Sequence, residues 1–410
     1  MQQVGRRASR AVRALGLVAL VAVAVVGTSA VSSAATKPPV TKPTVTIGVI
    51  APVDGGLTDF GRGIRNSVTL AVKQANARNL VKGWNVQVRT ADDSSDPATG
   101  EAAANTLASD SNVVAVVGPY NSGVALKAAP VLAAGDLALV SPGNTLTSLT
   151  IGNDVANPQR QWDSYFRMVG PDTRQAEFLA GQAKRLGFKT AAVVSETKAV
   201  SQGLADEFVA AFKKQGGDVA VQKTVPDNAS ASDFNEFITA AKTAEPDLLF
   251  FGGEYNVAAV LRTTATSAAL TVPMMGGDGV KDNAFISSAG DDAKGTYASS
   301  VGVPLREQPG AKKFLAAYRA ARYDSPPSDF GPYAYDAANV VLGTLAKELN
   351  GKTTLPDDIR TNVVSDLQGS KDSGVTGKVA FDKYGDAVAP KFTLYRVAGS
   401  PPRWVQQTSS

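Results

Sequence analysis

Cysteine and histidine are both missing from the 410 residues. Without cysteine there is no disulfide, thiolate metal site, cysteine nucleophile or lipid-modified N-terminal cysteine. Without histidine the Ser-His-Asp and Cys-His arrangements are impossible, and zinc loses its usual ligands. Carboxylate-only catalysis stays open. So does Ser-Lys chemistry, although no S-x-x-K is expected at a helix start beside a plausible pocket. We expect no metal and no cofactor. Excess charge is also scarce: of 41 Lys and Arg against 37 Asp and Glu, the surplus sits in Arg6, Arg7, Arg10 and Arg13. Without those four the chain is neutral, which removes the main support for nucleic-acid binding.

Those arginines open a three-part N-terminus. Leu15 to Val26 is almost wholly apolar and Thr28 to Ala35 is small and polar. The pattern is that of a signal peptide over residues 1–35, cleaved after Ala34 or Ala35. Ala8-Ser9 after Arg6-Arg7 departs from the bulky apolar residues of the twin-arginine signal, so ordinary secretion is expected. A proline-bearing linker, 36–43, follows. No later stretch is apolar for the length of a membrane span, so an exported, soluble chain is expected, either periplasmic or held at the cell surface by something other than a lipid on cysteine.

The rest alternates β and α, which predicts parallel sheets in two similar halves. Thr44 to Ile50 reads as a strand. Phe60, Ile64, Val68, Ala71 and Ala75 then recur at helical spacing. A second run of the same kind begins near Asp172, with Phe208 and Phe212 facing inward from a helix. Two apolar strands, Val113 to Val117 and Leu137 to Val140, end in turns of small hydroxyl and amide residues, Gly118-Pro-Tyr-Asn-Ser-Gly123 and Ser141-Pro-Gly-Asn-Thr145. Each turn leads into a helix, where free N–H groups and hydroxyls suit an anion such as a carboxylate. Turn chemistry alone explains either one; two in succession favour a ligand cradle beyond the strand ends.

These segments, with Thr46-Ile-Gly-Val-Ile50, Asp92-Asp-Ser-Ser-Asp-Pro97, Phe250-Phe-Gly-Gly253, Met275-Gly-Gly-Asp-Gly279 and Gly377-Lys-Val-Ala-Phe-Asp-Lys-Tyr-Gly-Asp386, resemble the leucine/isoleucine/valine-binding proteins, type I periplasmic solute-binding proteins of ABC importers, over about Thr44 to Val397. The resemblance implies an α/β fold of two Rossmann-like lobes with parallel central sheets and a three-segment hinge. The expected lobes are 44–168 with 305–374, and 169–304 with 375–410. It also implies a non-enzymatic monomer that captures an amino acid or related small polar solute by hinge closure and delivers it to a membrane permease. By that resemblance Asn121 and Ser122 meet the ligand carboxylate, backbone groups of Gly143 and Asn144 touch the ligand, and Thr145 binds both ligand ends. Asp278 would face the ammonium; as a residue between two glycines it also reads as a plain turn former.

Three positions depart from the family pattern. Phe60 stands for a tyrosine, Val200 for an aromatic, and Glu254 falls near a usual tyrosine for which Tyr255 is an alternative. A second carboxylate at Glu254 would favour a more polar or cationic ligand than leucine. Tyr120, Trp162 and Tyr333 are further candidates for the cleft wall, with core packing as the alternative for each. A ligand-sensing receptor for amino acids or amides is the alternative function, and a hydrolase using Asp or Glu pairs is a third. Asp59-Phe-Gly61 and Asp329-Phe-Gly331 spell a kinase metal motif without its companions and are set aside. Asp92, Asp93 and Asp96 lack the pattern of a calcium loop, and Asn228-Ala-Ser230 matters as a glycosylation acceptor only in a host that performs it.

Overall fold

The computed structural model describes residues 42–388 and 390–409. The expected signal peptide and most of the linker, 1–41, lie outside them.

The first half runs β1 (Thr44–Ala51), α1 (Thr58–Ala77), β2 (Asn85–Asp92), α2 (Pro97–Ala108), β3 (Val113–Val117), α3 (Ser122–Ala134), β4 (Ala138–Ser141), α4 (Ser148–Ile151) and β5 (Tyr165–Arg167). These strands form a parallel sheet in the order β2-β1-β3-β4-β5. Alternate residues of β1 serve two cores: Val45, Ile47, Val49 and Ala51 join Phe60, Ile64, Val68 and Ala71 of α1, while Ile50 packs with Ala104 and Leu107 of α2. Burial on both faces is why β1 and β3 are apolar runs rather than alternating ones. Asp96 caps α2 by accepting from Thr99 N at 2.7 Å, with Pro97 at the first helical position.

The second half repeats the plan: α5 (Asp172–Arg185), β6 (Thr190–Glu196), α6 (Ala199–Lys214), β7 (Asp218–Val225), α7 (Asn235–Ala244), β8 (Leu248–Gly252), α8 (Tyr255–Ser267), β9 (Met274–Gly276), α9 (Asn283–Ala289) and β10 (Tyr297–Val301). Its parallel strands lie in the order β7-β6-β8-β9-β10. Phe208 and Phe212 of α6 face inward as expected, with Phe208 stacked on Phe250 of β8 at 3.6 Å between ring centroids.

The chain then returns to the first half through α10 (Ala311–Ala321), α11 (Gly331–Glu348) and α12 (Ile359–Gln368). There α11 lies on α1, and α12 packs against β3 and β4. A short hairpin, β11 (Asp372–Gly374) with β12 (Gly377–Val379), precedes β13 (Phe392–Ala398) and β14 (Arg403–Ser409). These last strands extend the second sheet antiparallel beyond β10, an edge that β/α alternation does not foretell. Residues 375–386, which sequence places with the second lobe, are held against the first sheet and its helices. Val375 N and Thr376 N donate to Asp336 of α11 at 2.8 and 2.7 Å, and Arg167 N donates to Gly385 O at 3.0 Å. The chain joins the second sheet only at Phe392.

Arg167, at the end of β5, is fully buried. Its Nε donates to Asp386, Nη1 to Leu146 O at 2.9 Å and Nη2 to Thr150 Oγ1 at 2.6 Å. One guanidinium thus binds the segment at Asp386 to the β4–α4 loop and to α4, using the fork geometry that suits arginine to such sites. Asp386→Ala leaves that charge buried without its counterion and is expected to cost roughly 3–5 kcal/mol, read as a lowered midpoint in urea denaturation at unchanged slope.

Candidate ligand-binding site

In sheets of this strand order the first strand's two neighbours carry the chain away in opposite directions, which opens a crevice beyond the carboxyl ends between β1 and β3, and again between β6 and β8. The two crevices face each other. Loops after β3 and β4 bring Tyr120, Asn121, Ser122, Gly143 and Thr145 to one wall of a cavity. Loops and helix starts after β6, β8 and β9 bring Val200, Ser201, Leu204, Gly253, Glu254 and Asp278 to the other. The cavity holds about 400 Å³ of atom-free space.

Local chemistry explains how each wall is built. Gly118 turns the chain at φ +119°, where a Cβ would lie 1.9 Å from Ile50 O, so no other residue fits. Ser141 Oγ donates to Pro119 O at 3.0 Å and accepts from Gly143 N and Asn144 N at 3.2 and 2.9 Å, which ties the two turns together. No side chain caps the start of α3, so the first-turn N–H groups at Ser122 remain as donors next to the cavity. Opposite, Gln175 Oε1 accepts from Asp278 N at 2.8 Å and from Ser299 Oγ at 2.6 Å, fixing the loop that carries Asp278. Burial pushes the Asp278 carboxyl up to about 6, against hydrogen bonds from Gln175 and nearby backbone. Asp278 makes no ion pair among those found in the described residues.

Of the expected site residues, Tyr120, Asn121, Ser122, Gly143, Thr145, Val200, Glu254 and Asp278 line this cavity; Phe60 and Asn144 do not. Phe60 lies behind Tyr120, with ring centroids 4.7 Å apart. Asn144 is a brace: its Nδ2 donates to Tyr120 O at 2.6 Å and its Oδ1 accepts from Tyr165 OH at 3.0 Å. Of the backbone groups of Gly143 and Asn144, both N–H groups are spent on Ser141. Trp162 packs on Tyr165, and Tyr333 lies against Gly302; neither lines the cavity. Tyr255, the alternative to Glu254, instead donates its hydroxyl to Gly56 O across the cleft at 2.8 Å.

Glu254 lines the cavity with both oxygens engaged. Asn121 Nδ2 donates to Oε1 at 2.7 Å and Lys198 Nζ to Oε2. Lys198 also lies 3.3 Å from Glu196, which accepts from Glu254 N at 3.2 Å. Burial opposes the Lys198 charge, yet Glu254 and Glu196 together hold its pKa above the ordinary lysine value. Sequence reading missed Lys198 and Glu196. Their signal was an acid ending a strand buried along nearly its whole length, a position that requires a cation nearby. Ser195-Glu-Thr-Lys198 is an S-x-x-K, but its serine lies within β6 and not at a helix start. The pair is not set up for Ser-Lys chemistry: Ser195 Oγ faces Thr224 Oγ1 at 3.4 Å and Lys198 is held as a paired ammonium. Among the described residues no cluster of acids is arranged to hold a metal ion, and no helix is long and apolar enough to cross a membrane.

Known proteins share this architecture. A Leu/Ile/Val-binding protein homologue of Brucella melitensis is 29% identical over 353 residues, covering 86% of this chain and 90% of that protein. The leucine-binding protein LivK of Thermotoga maritima superposes with a TM-score of 0.77 at 23% identity, over 89% of this chain and 98% of its own. A Rhodopseudomonas palustris solute-binding protein of an ABC transporter, in complex with 4-hydroxybenzoate, gives 0.75 at 19% identity, over 90% and 97%. The profile of the periplasmic binding protein family matches residues 44–401. With two sheets whose parallel strands end at one cavity and a profile match over most of its length, the chain belongs to the periplasmic binding protein family.

Proposed function

We propose that this protein is the exported substrate-binding component of an ABC importer, and that it captures an α-amino acid between two lobes that close by a hinge. The lobes are built round the two sheets, and no covalent bond changes. Asp278 carries this reading. A buried carboxylate without a counterion, facing a cavity whose opposite wall offers Ser122 and the uncapped start of α3, supports a ligand with an ammonium at one end and a carboxylate at the other. An aromatic acid like that bound by the R. palustris protein would leave Asp278 unpaired. Contacts from Tyr255 to Gly56 and from Glu254 to Asn121 support a closed conformation that a membrane permease then receives as a monomer.

Ligand-stripped protein is expected to gain thermal stability with α-amino acids and not with benzoates, by about 2.7 kcal/mol at a hundredfold excess over Kd. Ser122→Ala and Asp278→Ala should each abolish most of that gain. A shift with benzoates alone overturns the amino-acid reading.

The pH dependence follows from the raised Asp278 pKa. A ligand ammonium needs the ionised carboxyl, so below about pH 6 a proton must leave before the ligand pairs. Affinity is therefore flat above about pH 7 and falls as pH drops through 6, by up to about tenfold per unit. Asp278→Asn should bind weakly with that slope removed, as titration calorimetry between pH 5 and 8 would reveal. A ligand lacking an ammonium gives the opposite slope, tightening as Asp278 protonates.

A further inference from the structure

Asn121 is 5% exposed and lines the cavity, and its amide is used on one side only. Its Nδ2 donates to Glu254 Oε1 at 2.7 Å. Its Oδ1 has no hydrogen-bond partner. An amide of this kind is ordinarily free to flip, because its two ends are alike in shape. Here Glu254 decides, since its Oε1 accepts from the amide and its Oε2 is paired with Lys198. Oδ1 is consequently an acceptor of fixed identity, buried and unpaired, on a residue that lines the cavity.

Resting on the amino-acid reading above, the geometry points to a ligand whose side chain carries an uncharged hydrogen-bond donor, a hydroxyl or a primary amide, read by Asn121 Oδ1. Ser122 and the α3 start take the carboxylate and Asp278 takes the ammonium. The side chain is left with Tyr120, Val200, Leu204, Asn121 and Glu254. Tyr120 offers its ring, packed on Phe60 and Phe330, and Val200 and Leu204 offer aliphatic surface. Both oxygens of Glu254 already accept a bond from the protein. Among these side chains the buried polar atom left without a hydrogen bond is Oδ1, and it asks for a donor. A purely aliphatic side chain buries that acceptor unpaired, and an acidic one sets a carboxylate beside Glu254 and a carbonyl oxygen. Both are penalised more than a donor is rewarded, because leaving a buried polar group unmade costs more than making it gains.

Matched pairs of ligands test this: threonine against valine, and asparagine against leucine, with aspartate as the acidic control. Calorimetry on the ligand-stripped protein is expected to show the donor-bearing member binding roughly ten- to a hundredfold tighter in each pair, with aspartate rejected. Asn121→Leu should reverse both ratios. Glu254→Gln lets the Asn121 amide turn over and should bring both ratios towards one. A merely structural role for Asn121, as a bond across the cleft, would weaken both members of a pair alike and leave the ratio untouched. Valine and leucine binding the native protein as tightly as threonine and asparagine, or unaltered ratios in Asn121→Leu, overturn the inference and leave the amino-acid reading standing. Failure of every amino acid to bind, with benzoates binding instead, overturns the reading itself.

Discussion

A guanidinium buried with no exposure at the end of β5 is the constraint on which the two-lobed arrangement turns. Taking Arg167 out of water is costly, and the cost is offset only if all its donors find partners. The partners come from two remote places, the crossing segment at Asp386 and the carbonyls and hydroxyl of the loop around Leu146 and Thr150. That loop is continuous with Thr145 on the cavity wall, and Asp172 N, at the start of the second half, donates to Thr145 O at 2.7 Å. Crossing, loop and wall are therefore positioned by one charge, and none of them can be displaced alone.

The cleft follows a second electrostatic rule. Glu196 and Glu254 share Lys198, while Asp278 lines the same cavity with no ion pair among those of the described residues. Asp93, buried at the end of the β2 segment, is raised to about 7 by burial, with the charges of Asp92 and Glu254 adding to the effect. Lys198 reaches Glu196 and Glu254 and leaves Asp278 to whatever occupies the cavity. The division of labour is set by chain position. Glu196 and Lys198 end one strand and begin the next helix, so they meet Glu254 from the adjacent strand at once, whereas Asp278 comes from the following strand and faces the opposite wall.

Most of the framework was legible in the sequence because local rules and tertiary demands agree there. The apolar run at Val113 to Val117 is a strand buried on both faces, the spacing from Phe60 to Ala75 is the inner face of α1, and both small-residue turns reach the cavity. The antiparallel edge of β13 and β14 was not legible, since half-buried strands with mixed residues carry no sign of which sheet they extend. Residues 375–386 were assigned to the wrong partner surface for a related reason: their anchor, Asp336, is distant in sequence and acts through backbone donors that any residue supplies. Site residues were legible as positions rather than as roles. Asn144 falls in the right turn but spends its amide on Tyr120 and Tyr165, and Glu254 is in place with its charge already answered by Lys198.

The bond from the Tyr255 hydroxyl to Gly56 O is made by the chain with itself. In the hinge closure proposed above, it strengthens the shut form whether or not anything is inside. While the empty protein is mostly open, each such contact deepens the grip on a captured solute. Once the empty protein is itself mostly shut, further strengthening brings no more affinity, because the receptive fraction shrinks in step. It then only slows capture. The number of these self-made contacts thus sets a ceiling on how tightly the cleft can usefully hold its cargo before it begins to exclude it.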